Sequence, residues 1–339
     1  MSHKTSFIIN KATSKKKDKF DILTFDTHER YQTQMCKTGH NFYSFRYDEG
    51  KKWEDIYAKK PENYYILPTN SIMSGIDFDF ILSQSKFGQF QITQKINQFL
   101  QLPVVSLEHT LPISKIKTKH GFTMGWPEEE LQMFRQMSGD INVFISDYSA
   151  DKWNIAGSRE IVLHSVDSKM FHPSDISKNP TVLSVVNDFK TRDYCCNYSG
   201  WERITKDFEV RLVGKTEGLS EPAASIEDLV KEYQTSQVFL NTSTVSPVPT
   251  TLLEAMSCGC AIVTTANCMI PEIIKNGING FMSNDEEELK GYIKTLLEDE
   301  DLRIKLGKAA RQTILTDFSE QKFIDNWNAI FRKAYGVIK

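Results

Sequence analysis

The sequence predicts an α/β protein built from two tandem, doubly wound, Rossmann-like domains. Three observations lead there. The chain has 339 residues, which at ~150 residues per domain is about two domains. Short apolar runs alternate with helix-length amphipathic segments, the pattern of a parallel sheet covered on both faces. The alternation pauses at a polar stretch, residues 167–180, that holds Pro173 and Pro180, and then begins again.

In the first half, residues 20–25 read as a buried strand, 28–37 as a helix closed by Gly39, and 40–45 as a second strand. Residues 64–67 and 78–82 are further strands. Residues 89–101 place Phe90, Ile92, Ile96, Phe99 and Leu100 at helical spacing, and strand 103–107 runs into Glu108-His109. Helix 128–137 and strands 141–145 and 161–163 complete this half. The second half reads strand 182–186, helix 195–205, strand 209–213, helix 225–235, strand 238–240, helix 251–257 and strand 261–265. A turn through Pro271 leads to helices 286–297 and 301–316. The expected division is a lysine-rich leader 1–19, a first domain 20–170, a second domain 171–319, and a last helix 320–339.

Composition excludes several classes. Hydrophobic residues at 40% with 17 glycines fit a globular chain, not a disordered, collagenous or coiled-coil one. A net charge of −3 means that any polyanion contact must be local. The leader has lysines at 4, 11, 15, 16, 17 and 19 but no apolar core, so no secretory signal is expected. No apolar run reaches the ~18 residues of a bilayer span. The six cysteines form no Cys-x-x-Cys pair and are expected as reduced, mostly buried thiols without zinc. A cytoplasmic location is the expectation, with peripheral membrane contact still open.

In open α/β sheets ligands bind beyond the carboxyl ends of the strands, so a cleft between two such domains is the default site. The segment Ser246-Pro-Val-Pro-Thr-Thr-Leu-Leu-Glu254-Ala-Met-Ser-Cys-Gly259 is the most informative. Pro249 and Thr250 open a helix whose unpaired amides and dipole favour a phosphate. Glu254 lies one turn in, where a carboxylate can accept hydrogen bonds from hydroxyls, and Gly259 ends the helix. The same residues also suit a plain strand-loop-helix-strand unit in which Glu254 stabilises the helix start.

That segment, followed by Ile270-Pro-Glu272-Ile-Ile-Lys-Asn-Gly277, resembles the donor-binding region of GT-B glycosyltransferases, the group 1, family-4-like retaining enzymes that use nucleotide sugars. Their pattern is Glu-x7-Glu, Ala-Met-small-x-Gly, a strand, and a Pro-Glu-hydrophobic turn. Val162-Leu-His-Ser-Val-Asp167, Val210-Arg-Leu-Val-Gly214, the run from Tyr233 to Ser243 and Val143-Phe-Ile-Ser146 resemble further parts of it, so the likeness covers roughly 140–315. Ser246 stands where the family has its first glutamate, a residue that usually contacts the donor sugar.

The resemblance implies a GT-B fold and transfer of a sugar from a nucleoside diphosphate sugar to a hydroxyl, with retention, without a bound metal and with no cofactor beyond that donor substrate. It implies that Glu254 binds ribose and that Thr250, Thr251 and Leu253 at the helix start meet the diphosphate. Lys190 and Arg192, with Lys215 after Gly214, would neutralise the leaving diphosphate. His109 would support the donor sugar. His28 and Glu29 are acceptor-side candidates, although two surface residues at a helix start is the plainer reading. Lys115, Lys117 and Lys119, alternating in what reads as an extended loop, suit an anionic acceptor or a merely solvated basic loop. The Asp77-Phe-Asp79 pair reads as a strand start rather than a metal site. The acceptor stays open among a saccharide, a lipid-linked sugar and DNA. The alternatives are a phage-type enzyme acting on hydroxymethylated DNA bases and a GT-B-shaped sugar-nucleotide-binding protein that has lost catalysis.

Overall fold

Ile22, Leu23 and Phe25 are wholly buried in the first strand, β1 (Asp21–Phe25), which is what a central parallel strand covered on both faces requires. The computed structural model describes residues 17–47, 53–55, 58–73, 75–118, 121–246 and 248–337, with the backbone alone described for 114–118 and 121–124. Two units are present, and each is built around its own parallel sheet.

In the first unit the chain runs β1, α1 (Glu29–Cys36), β2 (Asn41–Phe45), β3 (Tyr64–Ile66), β4 (Phe80–Ser83), α2 (Gln89–Leu100) and β5 (Val104–Glu108). A hairpin follows, β6 (Ser114–Thr118) and β7 (Gly121–Gly125), then α3 (Glu128–Arg135), β8 (Ile141–Phe144), α4 (Asp147–Trp153) and β9 (Glu160–Ile161). Among the described residues the sheet order is β3-β2-β1-β4-β5-β8-β9, all parallel. The chain winds outward from β1 in one direction, then returns to β1's other side with β4. The order therefore reverses between β1 and β4, which brings the loops after those two strands together.

The second unit contains β10 (Asn179–Val185), α5 (Asp193–Cys196), α6 (Tyr198–Thr205), β11 (Val210–Val213), α7 (Ile226–Thr235) and β12 (Ser236–Asn241). It continues through α8 (Thr250–Ser257), β13 (Ala261–Thr264), α9 (Ile270–Ile273), β14 (Phe281–Met282), α10 (Glu286–Glu298) and α11 (Glu300–Asp317). Its order, β11-β10-β12-β13-β14, reverses between β10 and β12. Side-chain caps set the helix starts: Ser225, Asp285 and Asp299 each accept a backbone N–H of the first turn. Gly259 (φ +72°) closes α8, with its N–H on Met256 O and that of Cys260 on Ala255 O.

The last helix, α12 (Glu320–Gly336), belongs to the first unit from Phe323 onward. Trp327 and Phe331 are buried there, Phe331 against Phe42 and Phe80, and Asn328 Oδ1 meets His40 Nε2 at 2.8 Å.

The structure departs from the sequence reading at identifiable places. The first unit ends at Leu163, not at 170. Helix 195–205 is broken at Asn197, whose left-handed φ of +58° ends α5 while its side chain caps α6. Strand β10 starts at Asn179 and includes Pro180, which lies within the register shift between Asn179 and Val182 in the pairing with β12. The expected basic loop is the β6–β7 hairpin, in which Lys115 pairs with Met124 and Lys117 with Phe122. Lys119 lies outside the described residues, as do residues 1–16 of the expected leader. Asp79 precedes β4 and ties it to β1, accepting from Asp21 N–H at 2.7 Å and Lys17 Nζ at 2.6 Å.

Candidate functional site

In the second unit the loops after β10 and β11 brace each other. Asp188 N–H donates to Lys215 O at 2.7 Å, Lys215 N–H to Asn187 Oδ1 at 2.9 Å, and Phe189 N–H to Thr216 Oγ1 at 3.0 Å. Gly214 makes this closeness feasible. Its φ is +128°, and a Cβ there would stand 2.1 Å from Val186 O. The role the structure assigns it is backbone approach, so a donor contact from Gly214 could come only from its backbone. Lys190 and Arg192 are exposed on the same loop. Lys190 Nζ lies 5.9 Å from the centroid of the Tyr198 ring, and Arg192 occupies the position before α5 with Nη1 3.5 Å from Asn187 O. With Lys215 exposed on the loop after β11, three cations lie on these two braced loops.

The loop after β12 is held from behind by two adjacent cysteines that sequence reasoning left out. Cys195 O accepts from Thr244 and Val245 N–H at 2.9 and 3.1 Å, and Cys196 O accepts from Thr242 Oγ1 at 2.9 Å. Their sulfurs are 3.8 Å apart. The hydrogen bond between them, helped by the Arg192 guanidinium and opposed by burial, pulls the Cys195 thiol down to about 6, while the same bond together with burial pushes the Cys196 thiol up. A Cys-Cys pair beside an arginine was the available signal. Cys268, in left-handed backbone at φ +53°, places its thiol 3.7 Å from Thr244 O.

That loop delivers half-buried Ser246 and then α8, which has no side-chain cap at Pro249. Thr250 is exposed and Thr251 half-buried, but Leu253 is 1% exposed and packs in the core, so its side chain cannot face a ligand. Glu254 is also buried at 5% exposure, and Tyr233 Oη donates to its Oε2 at 2.9 Å. Tyr233 is itself pinned between Phe171 and Phe239. The carboxylate is thus oriented by a rigid neighbour rather than swinging in solvent.

In the first unit His109 follows β5, half-buried, with Nε2 3.3 Å from Gln84 Oε1 and its ring edge-on to Tyr31 at 4.4 Å. Exposed His28 precedes α1 and caps nothing with its side chain. Glu29 corrects the sequence reading of a surface residue: it is 2% exposed, and its Oε1 accepts from Glu54 N–H at 3.4 Å. Behind β5 lies a buried ion pair, Lys86 and Glu108, 3.9 Å apart and at most 1% exposed. Lys86 also donates to Ser106 Oγ at 2.9 Å and to Met137 O. Burial pushes Glu108 up to about 8, and burial brings Lys86 down to about 8.

Among the described residues no cluster of three or more His, Cys, Asp or Glu side chains could hold a metal. No described helix is long and apolar enough to cross a membrane.

Comparison with known proteins places this geometry. Residues 223–313, from before α7 to the middle of α11, match the family model described as Glycosyl transferases group 1. The N-acetyl-alpha-D-glucosaminyl L-malate synthase of Bacillus anthracis is 24% identical over 180 residues, 52% of this chain and 40% of that protein. Matches to the first curated relatives span about half or less of their length. Among solved structures, sucrose-phosphate synthase from Thermosynechococcus elongatus superposes with a TM-score of 0.74 at 13% identity, covering 94% of this chain and 99% of that one. The Anabaena protein Alr3699/HepE, in complex with UDP and glucose, gives 0.68 at 14% identity, covering 93% and 100%. The fold is GT-B.

Proposed function

We propose that this chain, with a group 1 glycosyltransferase segment on a GT-B fold, transfers a sugar from a nucleoside diphosphate sugar to an acceptor hydroxyl. The observation that carries the reading is the coincidence of the matched segment with the second unit's switch point. Residues 223–313 include α8, Glu254 and the loop held by Cys195 and Cys196. The UDP and glucose bound by the Anabaena relative support a nucleotide-sugar donor.

In this reading the first-turn amides of α8 receive the diphosphate. Glu254, aimed by Tyr233, accepts hydrogen bonds from ribose hydroxyls. Lys190, Arg192 and Lys215 stabilise the charge that develops as the diphosphate departs, a duty for fixed cations rather than for a nucleophile. His109 steadies the donor sugar. The reaction retains the anomeric configuration and runs without a metal ion, because three cations and a helix start can supply the positive charge. Ser246, shorter and uncharged where the family has glutamate, gives the sugar a neutral hydroxyl in place of a carboxylate. The protein acts in the cytoplasm, on a saccharide, a lipid-linked sugar or DNA.

The test is incubation with a panel of nucleotide sugars, with detection of free nucleoside diphosphate, in the presence and absence of a chelator. Slow donor hydrolysis that survives chelation supports the reading. Calorimetry that finds no binding of any nucleotide sugar to folded protein rejects it. NMR of a transferred product reports the anomeric outcome.

A further inference from the structure

Gln84 sits at the carboxyl end of β4, beside the switch point of the first unit, and is 2% exposed. Its backbone N–H donates to Gln89 Oε1 at 3.0 Å, and Gln89 Nε2 donates to Asp26 O after β1 at 2.9 Å. The side-chain amide has one possible orientation. Its nitrogen lies 3.4 Å from Phe25 O, 3.0 Å from Thr24 Oγ1 and 3.0 Å from Gln32 Oε1. A main-chain carbonyl only accepts, and the Thr24 hydroxyl already gives its proton to Leu82 O at 3.0 Å. Both therefore require N–H groups from Gln84. The remaining side of the amide, the oxygen, faces His109 Nε2 at 3.3 Å. Because that oxygen only accepts, the tautomer that makes this hydrogen bond carries its proton on Nε2 of His109.

We propose that Gln84 is a positioning residue, which holds the His109 ring in one orientation and in its Nε2–H form. The role rests on the reading of His109 as a donor-sugar group, and it assigns to Gln84 a part in turnover rather than in donor affinity. Tyr31 supplies the second constraint, an edge-on ring contact that Phe323 backs at 5.5 Å. The two constraints act on different axes of the imidazole: Tyr31 limits its translation, and the Gln84 oxygen limits rotation about Cβ–Cγ.

The experiment uses full-length protein labelled with ¹⁵N-histidine, with the His109 signals assigned by their loss in His109→Asn. Wild type should show a resolved, slowly exchanging proton on Nε2. In Gln84→Met, similar in size but lacking the acceptor, that resonance should vanish. In Gln84→Asn, which keeps the amide's donor and acceptor on a shorter arm, it should persist. Turnover of a nucleotide sugar should fall about ten- to a hundredfold in Gln84→Met, as for a misplaced catalytic group, while donor KM stays within about twofold. Gln84→Asn should recover part of the rate. If the wild type turns over donor but the resonance or the rate is unmoved in Gln84→Met, the role of Gln84 is overturned. If no donor is turned over by the wild type, the proposed activity is what has failed.

Discussion

Lys86 and Glu108 offer a stability test whose size follows from one distance. The two charged groups are 3.9 Å apart and at most 1% exposed. At an effective dielectric of about 20 their attraction is about 4 kcal/mol. Without Lys86, Glu108 would take up a proton rather than stay charged. Lys86→Met is therefore expected to lower the stability of the first unit at pH 8 by about 3–5 kcal/mol. Lys86→Met combined with Glu108→Gln should recover most of that, because neither buried charge remains. The pH dependence has a definite sign. Glu108 is raised, so the folded chain keeps a proton that the unfolded chain has released above pH 4.5, and stability falls as pH rises toward 8. Lys86 is lowered, so from pH 8 to 10.5 the folded chain releases a proton that the unfolded chain keeps, and stability rises again. The pair's contribution is thus smallest near pH 8. Urea unfolding followed by circular dichroism at pH 6, 8 and 10 measures this for the wild type and the variants. A double variant less stable than Lys86→Met at pH 8, or a wild type with no pH dependence that Glu108→Gln removes, would refute the reasoning.

Other expectations follow from the second unit and the hairpin. Glu254→Gln should weaken donor binding by about 1.5–3 kcal/mol through loss of a charged hydrogen bond, and Tyr233→Phe, which only frees the carboxylate, by less; calorimetry with a nucleotide sugar ranks the two. Lys190→Ala and Arg192→Ala should each lower turnover about 10²-fold or more while changing donor affinity little, as steady-state kinetics would show. Gly214→Ala should destabilise the second unit by at least about 1–3 kcal/mol, since its φ of +128° and the 2.1 Å approach to Val186 O leave no room for a methyl group; thermal unfolding reads this directly. Replacing Lys115, Lys117 and Lys119 by Ala should leave donor hydrolysis intact, reduce transfer to an anionic acceptor and flatten its salt dependence by about one counterion per lost contact.

The sequence by itself determined the α/β class and nearly every strand. A buried parallel strand must be apolar on both faces, so runs such as 20–25, 103–107 and 261–265 are legible without any partner. Helix ends at Ser225 and Gly259 were equally readable, because caps are local chemistry. The segment around Glu254, inside the stretch that matches the family model, was legible as a unit for a related reason: the helix start, the carboxylate and the closing glycine lie within fourteen residues. Other features were decided only by tertiary structure. Glu29 looked like a surface residue at a helix start, yet its burial depends on the chain around Glu54. The break at Asn197 depends on a left-handed backbone that asparagine tolerates but does not compel. The Lys86–Glu108 pair and the Gln84–His109 contact join residues that are 22 and 25 positions apart, which meet because β4 and β5 are neighbours in the sheet. Periodicity along the chain reports which face of an element is buried. Which side chains then share that interior is settled by strand order, and strand order arises from the packing of the whole sheet.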